Sequence, residues 1–173
     1  MIELTTPVGS LDHIQGKTSA TITLVEYADY QSVRCGEAHP LIKNLIKEFH
    51  NQLLFVFRNF SKSCHPEAMI AARAAEAAAL QNKFWEMHDL IFEQQDQISE
   101  NNLIYFAESL NLNLDQFDND YNSQNTISKI ESDIESGIRS EVTETPTFFI
   151  DDERLETYDE TYESLAKAIR KAG

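Results

Sequence analysis

Thr21-Ile22-Thr23-Leu24-Val25-Glu26-Tyr27-Ala28-Asp29-Tyr30 is a run of β-branched and aromatic residues, the composition of a strand. Past it, Leu41, Ile42, Leu45, Ile46 and Phe49 recur at helical spacing within Gly36 to Phe49. Pro40 falls near the expected start of that helix, where a first turn tolerates it or the helix bends. Leu53 to Phe60 is a second short, apolar and aromatic run, again a strand. Strand, helix, strand at this spacing is the pattern of a right-handed βαβ unit with parallel strands.

Working outward, His65-Pro66-Glu67 opens an alanine-rich helix expected over Ala68 to Leu80. Alanine on several faces implies close packing against other helices. Further helices are expected over Lys83 to Gln95, Leu103 to Leu110 (with Ser99 as N-cap), Asp115 to Tyr121 and Ser123 to Ile138. Thr145-Pro146-Thr147-Phe148-Phe149-Ile150 returns the chain to strand. Asp151-Asp152 can turn it into a short strand near Arg154 to Thr157. Thr161 to Ala172 closes as an amphipathic helix with Leu165, Ala168 and Ile169 inward. The expected order is βαβ, a helical block, then ββα. Segments 1–62 and 139–173 would form an α/β core and 63–138 an all-helical insertion, folded together as one compact domain.

At 173 residues the chain is long enough for one domain with its own core. An apolar share of 42%, with ten Phe and six Tyr, excludes disorder. The longest apolar runs, such as Leu53 to Phe57, fall far short of the ~20 residues of a membrane helix. A net charge of −15 repels phosphate, so neither nucleic acid nor an anionic membrane is expected as partner. Its plainest consequence is solubility. Met1-Ile2-Glu3-Leu4-Thr5-Thr6 lacks the basic start and apolar stretch of a secretory signal. A cytoplasmic home is expected on that ground, or a periplasmic or secreted one for a chain trimmed at its N-terminus. The two cysteines, Cys35 and Cys64, exclude a disulfide-rich scaffold and have no zinc-finger spacing. Cys35, His39, Cys64 and His65 contain no Cys-x-x-Cys pair, so no metal is expected.

Five blocks carry a resemblance to a known family. They are Val25-Glu26-Tyr27-Ala28-Asp29-Tyr30-Gln31 with Ser32-Val33-Arg34-Cys35-Gly36, then Phe57-Arg58-Asn59-Phe60, His65-Pro66-Glu67-Ala68, Lys83-Phe84-Trp85-Glu86-Met87-His88 and Thr145-Pro146-Thr147-Phe148-Phe149-Ile150. In this order they resemble the DsbA-like branch of the thioredoxin superfamily, in which a helical domain interrupts a thioredoxin core. The resemblance implies a thiol–disulfide oxidoreductase acting on protein or peptide thiols and disulfides, without a cofactor. It places Ser32 and Cys35 at the catalytic positions, with Val33, Arg34, Thr145 and a cis Pro146 beside the bound substrate. The family mechanism needs Cys-x-x-Cys at a helix N-terminus, where the dipole and free N–H groups favour a thiolate. Here the motif reads Ser32-Val33-Arg34-Cys35. A hydroxyl forms no disulfide, so the ordinary two-cysteine cycle is closed to this sequence, whether the serine is a natural degeneration or a substitution.

Three readings of function follow. The first is the DsbA-type oxidoreductase with its attacking sulfur replaced. In the second, Ser32 holds a bound thiolate, as in the resembling kappa-class glutathione transferases, and glutathione is the substrate. The third is a non-catalytic module that binds extended peptides beside Pro146. For Ser32 the plainer role is a helix N-cap, and for Cys35 a small buried hydrophobe. Arg34 would favour a thiolate if its guanidinium lay beside Cys35. Cys64, at the end of the second strand, is a candidate second thiol for Cys35. Glu141 and Glu144, near the approach to Pro146, are expected to raise thiol pKa values.

Overall fold

The computed structural model describes residues 2–173 and contains a five-stranded sheet in the order β1-β3-β2-β4-β5. The strands are β1 (His13–Gly16), β2 (Ile22–Ala28), β3 (Leu53–Asn59), β4 (Thr147–Ile150) and β5 (Glu153–Arg154). The βαβ reading holds: α1 (Val33–Glu48) joins β2 to its parallel neighbour β3, with Ile22 opposite Leu53 and Ala28 opposite Asn59. β4 runs antiparallel to β2 and turns into β5 through Asp151 and Asp152, both at positive φ (47° and 74°), as a two-residue hairpin of primed type needs.

β1 is an element absent from the expected order. His-Ile-Gln-Gly is too short and too polar to show a two-residue alternation, and it is held by pairing antiparallel to β3, His13 against Phe57. At its end Gly16 has φ 112°, and a Cβ there would lie 2.4 Å from the Leu53 carbonyl oxygen.

Between β3 and β4 lie α2 (Pro66–Ala79), α3 (Phe84–Glu93), α4 (Glu100–Ser109), α5 (Leu114–Tyr121) and α6 (Gln124–Arg139), with a 3-10 turn at Gln95–Gln97. Ser99, Asn113 and Ser123 cap α4, α5 and α6 through side-chain oxygens. The alanines of α2 fulfil the close-packing expectation, with Ala68, Ala71, Ala72, Ala74, Ala75, Ala77 and Ala78 all fully buried. α7 (Tyr162–Ala172) closes the chain, burying Leu165, Ala166 and Ile169. Among the described residues no helix is long and apolar enough to cross a membrane.

The alternation along β2 divides the core. Val25 and Tyr27 face Val56, Phe60 and Phe149 on one side, where Ile134 of α6 packs. Leu24 and Ala28 face the larger cluster, built with Cys35, Ala38, Ile42 and Leu45 of α1, Phe84 and Met87 of α3, and α7. Glu26 is two residues from both Leu24 and Ala28, so its carboxyl enters that same apolar layer.

Candidate functional site

The corner between β2 and α1 gathers the motif. Ser32 is the N-cap, extended at φ −73° and ψ 120°, and its Oγ accepts a hydrogen bond from the Cys35 N–H at 3.4 Å. The helix starts at Val33, three residues before the Gly36 start expected from the apolar periodicity, because a cap and a first turn need no apolar residues. Pro40 is therefore inside α1 rather than near its start. Val33 stands out at 68% exposed, while Pro146 is buried and the Thr145–Pro146 peptide bond is cis.

Cys35 is fully buried, and its Sγ accepts the Asp29 N–H at 3.5 Å. Burial first, and then the charge of Glu26, push its thiol up to about 12. The Asp29 N–H and the Ser32 and Thr145 hydroxyls pull the other way without prevailing. Ser32, Cys35 and Thr145 thus meet, as the sequence reading required. The source of the raised pKa is different from the one expected: Glu26 acts from within the sheet. Glu144 is turned to Arg34, 3.0 Å away, and the Glu141 carbonyl accepts from Arg154. Arg34 also departs from expectation. Its Nε lies 2.6 Å from Glu160, so the guanidinium is held by two carboxylates at the surface and gives Cys35 no cation.

Glu26 is the residue that inspection of motifs missed. Only 2% exposed, it has its carboxyl pushed up to about 8 by burial alone. The available signal was its place as the one charged residue within Ile22–Ala28, on the inward-facing register. Tyr158 packs against this layer, its ring edge-on to Phe148 at 4.8 Å and its hydroxyl pKa raised, by burial first and then by Glu26.

Asp29, wholly buried, ties the corner to the start of α2. Its carboxylate accepts from the N–H groups of Gln31 (2.8 Å) and Lys62 (2.9 Å), and lies 2.8 Å from His65 Nδ1. This brings the Lys62–His65 loop to the corner. Cys64 is nevertheless exposed and Cys35 buried, and both thiols are free, so the candidate second thiol is not joined to Cys35. The four residues Cys35, His39, Cys64 and His65 do not converge as ligands: His65 turns to Asp29 and His39 to Asp89.

Gln95 closes the other side. Its Nε2 donates to the carbonyls of Tyr30 and Ser32, both at 2.8 Å, fastening the helical block to the motif. Gly36 makes room for it, since a Cβ there would lie 2.4 Å from Gln95 Oε1. Gly36→Ala is expected to cost about 1 kcal/mol net: displacing Gln95 loses about 1–3 kcal/mol of hydrogen bonding, and alanine's helix propensity returns roughly 1. Urea denaturation measures this, and a stabilised variant would show that Gln95 does not hold the corner.

A cavity of about 980 Å³ lies between the β4–β5 hairpin and α7, and neither Ser32, Cys35, Thr145 nor Pro146 lines it. At the corner itself Val33 is the exposed member, while Thr145 and Pro146 are buried behind it.

Comparison with known proteins agrees with this fold. The family model described as Thioredoxin matches residues 10–171. A thioredoxin-like oxidoreductase from Silicibacter pomeroyi superposes with a TM-score of 0.85 at 21% identity, covering 95% of this chain and 93% of that one. Oxidised BdbD from Bacillus subtilis gives 0.83 at 22% identity, covering 94% and 92%. In sequence the chain is 38% identical over 156 residues to a protein of Salinispora tropica named Na(+)/H(+) antiporter NhaA 3, covering 89% of this chain. The chain spans about a quarter (24%) of the length of that relative.

Proposed function

This chain belongs to the thioredoxin family, and we propose that it is a DsbA-like scaffold for exchange with protein thiols and disulfides, silenced as a two-cysteine enzyme by Ser32. One observation supports this reading: Cys35 is buried at the first turn of α1, and the Ser32 hydroxyl caps that turn three residues before it. A thiol pushed up to about 12 is protonated at neutral pH and attacks nothing on its own. With sulfur at position 32 the balance is complete. The thiolate there displaces one sulfur of a substrate disulfide, forming a mixed disulfide, and the Cys35 thiol, giving its proton to the substrate thiolate already released, displaces the second, leaving the motif oxidised.

The test is reduction of insulin by dithiothreitol, and oxidation of reduced ribonuclease, by the chain and by its Ser32→Cys variant. The variant is expected to accelerate both at least about 100-fold over the chain as it stands, whose thiol is protonated and buried. A folded variant no faster than the original would overturn the reading. A second reading, favoured by the Ser32 hydroxyl standing at the N-terminus of α1, is that the corner holds a glutathione thiolate. Calorimetric titration with glutathione, showing saturable heat lost in Ser32→Ala, would support it.

A further inference from the structure

One helical turn beyond Cys35, α1 meets α3 in a cluster of nitrogen and carboxylate groups that thiol exchange does not use. One ring nitrogen each of His39 and His88 and a carboxylate oxygen of Asp89 lie within 4.8 Å of one another. Both histidines are buried, at 6% and 3% exposure. His39 Nε2 is 3.2 Å from Asp89 Oδ1 but makes no aligned hydrogen bond, so a buried ring nitrogen is left without a proper partner. We propose that His39, His88 and Asp89 form a site for a divalent transition metal, zinc above all, that fastens the motif-bearing helix α1 to α3.

The donor set is chemically suited to that ion: two imidazoles and one carboxylate, with a fourth position open to water. Metal–ligand bonds of ~2.0–2.1 Å in a tetrahedron place ligand atoms ~3.3 Å apart. The His39–Asp89 pair is already at that spacing, and modest side-chain rotation closes the rest. The ligands are held from outside as well. Tyr30 Oη lies 2.9 Å from His88 Nδ1 and fixes that ring, and Lys43 Nζ binds the other carboxylate oxygen of Asp89 at 2.7 Å. With its side chain 35% exposed, Asp89 opens the cluster to entry from solvent.

The experiment titrates Co²⁺ into the purified full chain after treatment with chelator, followed by competition with Zn²⁺. The expected result is one bound equivalent with visible d–d absorption, no sulfur-to-cobalt charge transfer, and displacement by zinc. Asp89→Asn and His39→Gln are each expected to weaken binding about 100-fold. The Asp89 substitution is at a part-exposed position and is the variant relied on if His39→Gln does not fold. Cys35→Ala and Cys64→Ser should leave affinity unchanged. Zinc should also raise the melting temperature of the chain and not that of Asp89→Asn. No saturable binding by the folded chain, equal binding by Asp89→Asn, or a thiolate charge-transfer band would each overturn the proposal. None of these readouts depends on thiol exchange.

Discussion

Glu26→Gln is expected to stabilise the protein, and by an amount that grows with pH. The unfolded carboxyl titrates near the ordinary glutamate value of 4.5, and the folded one near 8. Below pH 4.5 both states are protonated and the substitution is close to neutral. Between those two values the folded state alone keeps the proton, so stability of the wild-type chain falls by roughly 1.4 kcal/mol per pH unit. Above pH 8 the folded carboxylate is ionised in an apolar layer, and the difference levels off on the order of 3–5 kcal/mol. Glutamine has the same shape and no charge, and removes this slope. Urea denaturation of both proteins at pH 5, 7 and 9 measures it, and a difference independent of pH would refute the account of Glu26. Because the Glu26 charge also raises the Cys35 pKa, the same variant should alkylate faster at Cys35 in a Cys64→Ser background at alkaline pH.

Arg58→Met is expected to destabilise by about 3–5 kcal/mol, the cost of stranding a buried partner. Arg58 is 2% exposed on β3 and its guanidinium uses every nitrogen. Nε and Nη2 donate to Asp12 at 2.7 and 2.9 Å, Nη1 to the Thr6 carbonyl and Tyr27 Oη at 2.9 Å each, and Nη2 to the Pro7 carbonyl at 3.1 Å. These bonds pin the N-terminal segment across the sheet. Burial raises the Asp12 pKa, but the Arg58 bonds outweigh it and the net shift is downward. Its contribution is therefore present above the unfolded value of 3.8 and is lost as pH falls through the folded pKa. The double variant Arg58→Met with Asp12→Leu removes both charges and should recover most of the loss. A single variant within ~1 kcal/mol of wild type would mean that the pair does not anchor the segment.

How much of this was legible in the sequence depended on the kind of signal. β2, α1 and β3 were readable because alternation and helical periodicity report burial directly, and the start of α1 was misplaced because capping, not periodicity, sets it, at Ser32 and Val33. β1 was unreadable because its stability comes from its partner β3. Ser32, Cys35 and Thr145 were found through the resemblance of blocks far apart in the chain, which the fold brings to one corner. Charge placement was read less well. Arg34 and Glu144 are near the site in sequence and cancel one another at the surface. Glu26 acts on the thiol from inside an apolar strand. Gln95, which fastens the helical block to the motif, leaves no trace in spacing or composition. Pro40 was expected near the helix start, yet it and His39 lie in mid-helix, with His39 facing α3, because α1 begins earlier than its apolar pattern.

The measurement that tests the central claim most directly is the redox equilibrium of Ser32→Cys in a Cys64→Ser background, across glutathione buffers, read by intact mass after acid quenching and alkylation. The geometry of the corner predicts an intramolecular disulfide between the introduced thiol and Cys35, formed and broken reversibly with the loss and gain of two hydrogens. A folded variant that accumulates only its glutathione adduct, or that stays fully reduced in every buffer, would contradict the reading of this corner as a thiol-exchange site lacking a single sulfur.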